Sequence, residues 1–176
     1  MAFHYTDALS RVIDDVSRAL PEFAHVRADA LAISYAMARR RTAHGVFAKT
    51  VPLHGVSQDR PFRGGGPFRL AGRKVYYIIY FYLPRFHDQS FEDKLLTILH
   101  ELYHLSPEFD GTLRLFPGNT PFHGPSRESF EAHLEPLTRE YIRQRNGAPL
   151  LDFLRLSVED LTRSYGEVHG LHIPMP

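Results

Sequence analysis

Leu9, Val12, Ile13, Val16 and Leu20 recur at the spacing of one helix face, and Pro21 closes the run. This predicts a first helix over 6–19. The pattern then shortens: Ala30–Met37 and Gly45–Leu53 are strand-like runs, predicted to pair as a hairpin through the arginine-rich turn between them. From Gln58 to Gly72, around Gly64-Gly65-Gly66-Pro67, periodicity disappears and a mobile loop is expected. Val75–Leu83, closed by Pro84, is the densest β-branched and aromatic run and predicts a strand.

Helical spacing returns after Ser90, which suits an N-cap with Glu92 and Asp93 behind it. Leu95, Leu96, Ile98, Leu99, Leu102 and Leu105 form a broad apolar surface, and Pro107 stops the helix. A loop from Ser106 to Gly124 leads to a second helix, Pro125 to about Arg145, with Gly147 at its exit. A helical stretch from Leu150 to Tyr165 and an irregular tail from about 166 to Pro176 complete an α+β chain. Its small mixed or antiparallel sheet is expected to pack on the helix after Ser90 and on the other helices.

Composition narrows the class. With 176 residues and 43% hydrophobic content, the chain can bury one sizeable core, so a single domain over 1–176 is expected. No 18-residue apolar run occurs, and the N-terminus lacks the design of a signal peptide, so a cytoplasmic protein without membrane contact is expected. Zero cysteines exclude disulfides, thiol catalysis and thiolate metal ligands. Net charge is only +1, yet residues 30–89 carry ten basic residues against two acids, a local +8. The cluster includes Arg39, Arg40, Arg41, Arg69, Arg73 and Lys74, and the 39–74 region is a candidate nucleic-acid surface.

The chemistry sits in His100-Glu101-Leu102-Tyr103-His104. Residues four apart share a helix face, so both imidazoles can reach one ion while Glu101, turned about 100° away, can approach a water on it. A catalytic zinc takes three protein ligands and leaves one position open. Asp110 lies six residues after His104, where metzincins place a third ligand, but the glycine of that pattern is Pro107 here. Glu128 and Glu131 lie on the second helix, where gluzincins place a glutamate ligand. His123, at the mouth of that helix, is the remaining candidate. Tyr103, Arg127 and Tyr165 are candidates for steadying an oxyanion.

Tyr77–Phe86, Lys94–His104, Ser106–Gly111 and His123-Gly124 together resemble the phage metallopeptidase family, over roughly Leu31 to Tyr165. More widely, His-Glu-x-x-His followed by His-Gly-Pro before a helix resembles SprT-like zinc proteases, without the Cys-rich ribbon of many of them. The resemblance implies a zincin-like domain, zinc on His100, His104 and His123, and hydrolysis of peptide bonds by a zinc-activated water with Glu101 as general base. It also implies that the strand from Val75 to Leu83 pairs with an extended peptide or protein substrate. Three other functions stay open: a nucleic-acid-binding protein with a structural zinc, a protease acting on DNA-bound proteins, and an inactive metal-bound scaffold.

Overall fold

The computed structural model describes residues 2–38, 45–54, 68–118, 123 and 126–175. Strand β1 (Phe3–His4) runs straight into helix α1 (Tyr5–Ala19). Ala8, Leu9, Val12, Ile13 and Val16 are buried on one face of α1. Pro21, which cannot continue the helix, opens a single 3-10 turn instead. A second such turn, Ala28–Ala30, leads into β2 (Leu31–Met37), and β3 (Ala48–Pro52) follows. Beyond them come β4 (Arg69–Leu70), β5 (Arg73–Lys74) and β6 (Tyr77–Leu83). The rest is α2 (Phe91–Tyr103), α3 (Arg127–Gln144), a 3-10 segment Pro149–Arg155, α4 (Val158–Tyr165) and β7 (Val168–His169). No helix among the described residues is long and apolar enough to cross a membrane.

The expected hairpin of residues 30–37 and 45–53 does not form. The main sheet has the order β2-β6-β3, with β6 parallel to β2 and antiparallel to β3, so the sheet is mixed. The reason is the composition of β6. Tyr77, Ile79 and Phe81 face the helices, and Ile78 and Tyr80 face a second apolar cluster with Ala32, Val75 and Ile173. A strand apolar on both faces belongs at the centre of a sheet, and burying each such side chain contributes about 1.5–3 kcal/mol. Both edges of β6 are taken, so it cannot accept a substrate strand; that expectation is corrected. The Arg39–Arg41 turn lies outside the described residues.

The two outer edges of the sheet differ. Along β2, Tyr35 N–H donates to the Leu171 carbonyl at 3.0 Å and Ile173 N–H donates to Ser34 Oγ at 2.9 Å. The segment expected to be an irregular tail thus covers this edge, and β7 pairs with β1 in parallel. The outer edge of β3 has no strand partner among the described residues. Tyr82 N–H donates to the Phe47 carbonyl and Leu53 N–H to the Tyr76 carbonyl. In an antiparallel ladder these bonded pairs alternate with unbonded ones, so the backbone groups of Ala48 and Thr50 point outward.

Two further boundaries depart from the sequence pattern. Of the expected loop 58–72, residues 58–67 lie outside the described part, whereas β4 and β5 form a tight hairpin with Ala71 and Gly72 at positive φ. The stretch Leu150–Tyr165 is interrupted at Leu156 and Ser157, because the Ser157 hydroxyl accepts from Asp160 N–H and starts α4 anew.

Helices α1 and α3 are clamped together. Arg145 donates through Nε to Asp15 Oδ2 at 2.6 Å and through Nη2 to Oδ1 at 3.1 Å, and Tyr141 Oη donates to Oδ2 at 2.8 Å. Lys94 of α2 is buried and donates to the Leu154 and Leu156 carbonyls at 2.8 and 2.7 Å.

His87 is fully buried, 3.0 Å from Tyr5 Oη through Nδ1 and stacked on Phe153. Burial, reinforced by the Lys94 ammonium, lowers its pKa from 6.5 to about 3. The unfolded chain therefore takes up a proton near pH 6.5 that the folded chain refuses. Stability from this group is complete above pH 6.5 and is lost as pH falls toward 3. Thermal unfolding across that range should show a shallower decline for His87→Gln than for the native chain. Equal slopes would show that His87 does not titrate differently on folding.

Candidate metal centre

Helix α2 begins at Ser90, whose hydroxyl accepts from Asp93 N–H. Leu95, Ile98, Leu99 and Leu102 point into the core and are fully buried. The neighbouring stripe, Asp93, Leu96, Thr97, His100, Glu101 and His104, lines a cleft of about 550 Å³. Gly45–Thr50 form part of another wall of the same cleft, and His123, Arg127 and Glu131 complete the side of α3. Residues separated by three or four positions share a helix face, which is why one helix can fill a core and furnish a cleft.

Three imidazoles converge there. His100, His104 and His123 each offer a ring nitrogen, and these nitrogens lie within 4.8 Å of one another. His100 Nε2 and His123 Nε2 are 2.9 Å apart. Nitrogens held about 2.0–2.1 Å from one tetrahedral ion are separated by about 3.3 Å, so the cluster has the span of a single metal site. Phe130 packs on all three rings, with centroid distances of 4.7 Å to His100 and 5.1 Å to His104 and His123.

Burial sets the electrostatics. It lowers the pKa of His100 to about 4, helped by His123 and Arg127, and that of His104 to about 3, helped by His100 and His123. His123 is lowered by burial and by Arg127. Neutral imidazoles at neutral pH are the form a metal needs. Glu101 is only 6% exposed, and burial pushes its carboxyl up to about 7 against the opposing bond from Thr50. Thr50 Oγ1 donates to Glu101 Oε2 at 2.7 Å and lies 3.1 Å from the Glu101 carbonyl.

The other candidate ligands stand outside the group of converging ring nitrogens. Asp110 is exposed and accepts from the backbone N–H and hydroxyl of Thr112, shaping the turn at Gly111. Glu128 is exposed. Glu131 accepts from Arg127 Nε at 2.7 Å and stands 4.0 Å from His100 Nδ1, behind the ring rather than among the converging nitrogens. Tyr103 packs against Phe23, Phe116 and Phe130, and Tyr165 against Phe3. Of the three oxyanion candidates only Arg127 lines the cleft. In the basic region, Arg69 donates to the Gly72 carbonyl and Lys74 sits over Tyr76, while Arg39, Arg40, Arg41, Arg60 and Arg63 lie outside the described residues.

Sequence reasoning missed Thr50 and the packing of Phe130, an aromatic it noted after His123-Gly124, on the three histidines. The signal for Thr50 was a polar residue between Ala48 and Pro52 on the inward positions of a strand. The signal for Phe130 was the helical spacing of Phe130, Leu134, Thr138 and Tyr141, all buried in α3. Phe130→Ala should destabilise the fold by about 3–5 kcal/mol and loosen the histidine cluster. Denaturant unfolding and metal retention against a chelator would measure the two effects. A variant that keeps native metal retention would separate Phe130 from the site.

No curated protein and no solved structure matches the chain. A family profile does, across residues 2–160, a span that holds the whole histidine cluster, Glu101 and Thr50. With that coverage, the chain belongs to the family described as putative phage metallopeptidase.

Proposed function

We propose that the chain is a zinc-dependent peptidase whose metal is held by His100, His104 and His123, with Glu101 as general base. The observation that carries this reading is the convergence of three neutral imidazoles beside a buried carboxylate in an open cleft. A donor set of imidazoles alone suits zinc, and three ligands leave a position for chemistry. Zinc bound there would acidify water and polarise a peptide carbonyl.

The chain's own groups do the rest. Glu101 accepts the proton of the attacking water and returns it to the leaving amine nitrogen. Arg127, which lines the cleft beside its partner Glu131, offers positive charge to the carbonyl oxygen as it becomes an oxyanion. Glu131 stands 4.0 Å from His100 Nδ1, on the side of the ring away from the converging nitrogens.

The substrate docks on β3. Its outward N–H and C=O groups at Ala48 and Thr50 border the cleft, and a peptide laid antiparallel or parallel to them adds a fourth strand. The edge of β2 is closed to such pairing by residues 171–173.

Protein purified without a metal column should contain about one zinc per chain, and His100→Ala and His123→Ala should lose it. Glu101→Gln should keep the metal while its turnover of an unfolded protein substrate falls on the order of 10²–10⁴-fold. Cleavage by Glu101→Gln at the native rate would remove Glu101 from the mechanism. Zinc retained in His123→Ala would move the third ligand elsewhere.

A further inference from the structure

We infer that Thr50 is the positioning residue for Glu101, and that it joins substrate register to the placement of the base. The inference rests on the peptidase reading above. Thr50 belongs to the edge strand, not to the motif helix, and its hydroxyl is 2.7 Å from Glu101 Oε2. Glu101 is only 6% exposed, so its carboxylate needs a donor, and among the described residues the Thr50 hydroxyl supplies one. The same hydroxyl lies 3.1 Å from the Glu101 main-chain carbonyl, the alternative acceptor for its one proton, so either way the donor stays on Glu101.

Threonine suits this task better than serine. Its branched Cβ restricts χ1 in a strand, so the direction of the hydroxyl follows from the backbone of β3. Holding Oε2 removes the rotational freedom of a three-torsion side chain and leaves Oε1 to meet the water. The backbone N–H and C=O of Thr50 point outward from the sheet at the same time. A peptide paired at Thr50 is thereby fixed relative to the residue that fixes the base. Misplacing a catalytic group by about 1 Å can lower turnover about 100-fold.

Thr50→Val keeps the shape and the backbone but removes the donor. Its kcat should fall about 10- to 100-fold while KM stays within about twofold, because strand pairing is untouched. Zinc content should remain about one per chain. Thr50→Ser, which restores the hydroxyl, should recover most of the lost kcat. A double-mutant cycle of Thr50→Val with Glu101→Leu, which removes the acceptor, on the melting temperature gives a readout independent of turnover. The double variant should depart from the sum of the single shifts by about 2–4 °C.

Native kcat in Thr50→Val, loss of zinc in Thr50→Val, equal impairment of the valine and serine variants, or additive melting shifts would each overturn the inference. If the native protein cleaves no peptide, the peptidase reading fails by itself. The melting cycle then decides whether Thr50 holds Glu101.

Discussion

Helix α2 turns about 100° with each residue, and the whole site follows from how that step divides the side chains among three neighbours. Leu95, Ile98, Leu99 and Leu102 bind the helix to the sheet and α1. His100 and His104 face Phe130 on α3, and Glu101, one step round, faces Thr50 on β3. A rotation of one residue would send the carboxylate toward Phe130 and the imidazoles into the core. The angular setting is therefore fixed by apolar packing, while the chemistry occupies the positions left over. Because α3 is tied to α1 through Asp15, Tyr141 and Arg145, the wall that carries Phe130 is anchored well away from the cleft.

Local features were legible wherever a short-range rule decided them. Ser90 capping, the apolar stripe of α2 and the i, i+4 histidines need only the helix itself, and the α+β class follows from the change between periods of 3.6 and 2 along the chain. Strand order was not legible. Two adjacent runs with a turn between them argue for a hairpin, and only the competition for the middle of the sheet, won by the doubly apolar β6, separates them. The same limit hid Thr50: fifty-one positions separate it from Glu101, and no local pattern links a strand hydroxyl to a helix carboxylate. His123 stood out as a histidine before a helix, yet its nearness to His100 depends on how α3 packs on α2. Asp110 and Glu131 satisfied spacing rules from known zinc enzymes but are engaged by Thr112 and Arg127.

The site also works against the stability of the metal-free chain. Two imidazoles with strongly lowered pKa values and a carboxyl raised to about 7 are groups that water would solvate better than the protein does. Such groups persist because the surrounding core over-determines their positions, and a cation among the nitrogens would turn the same burial into an advantage, since few competing waters remain.

The segment at 171–173 closes the sheet from a distance. Its bonds to Ser34 and Tyr35 span well over a hundred residues, and Ile173 completes the cluster on the far face of β6. Contacts of such long sequence separation form late, because the loop entropy they oppose is large and local contacts come first. Until that segment docks, the cluster of Ile78 and Tyr80 lacks Ile173 and Leu171. The order of events then matters: among the described residues, a main sheet caught before closure leaves the edge of β2 as open as that of β3, and the edge of β2 then offers neighbouring chains a place to pair away from the histidine cluster.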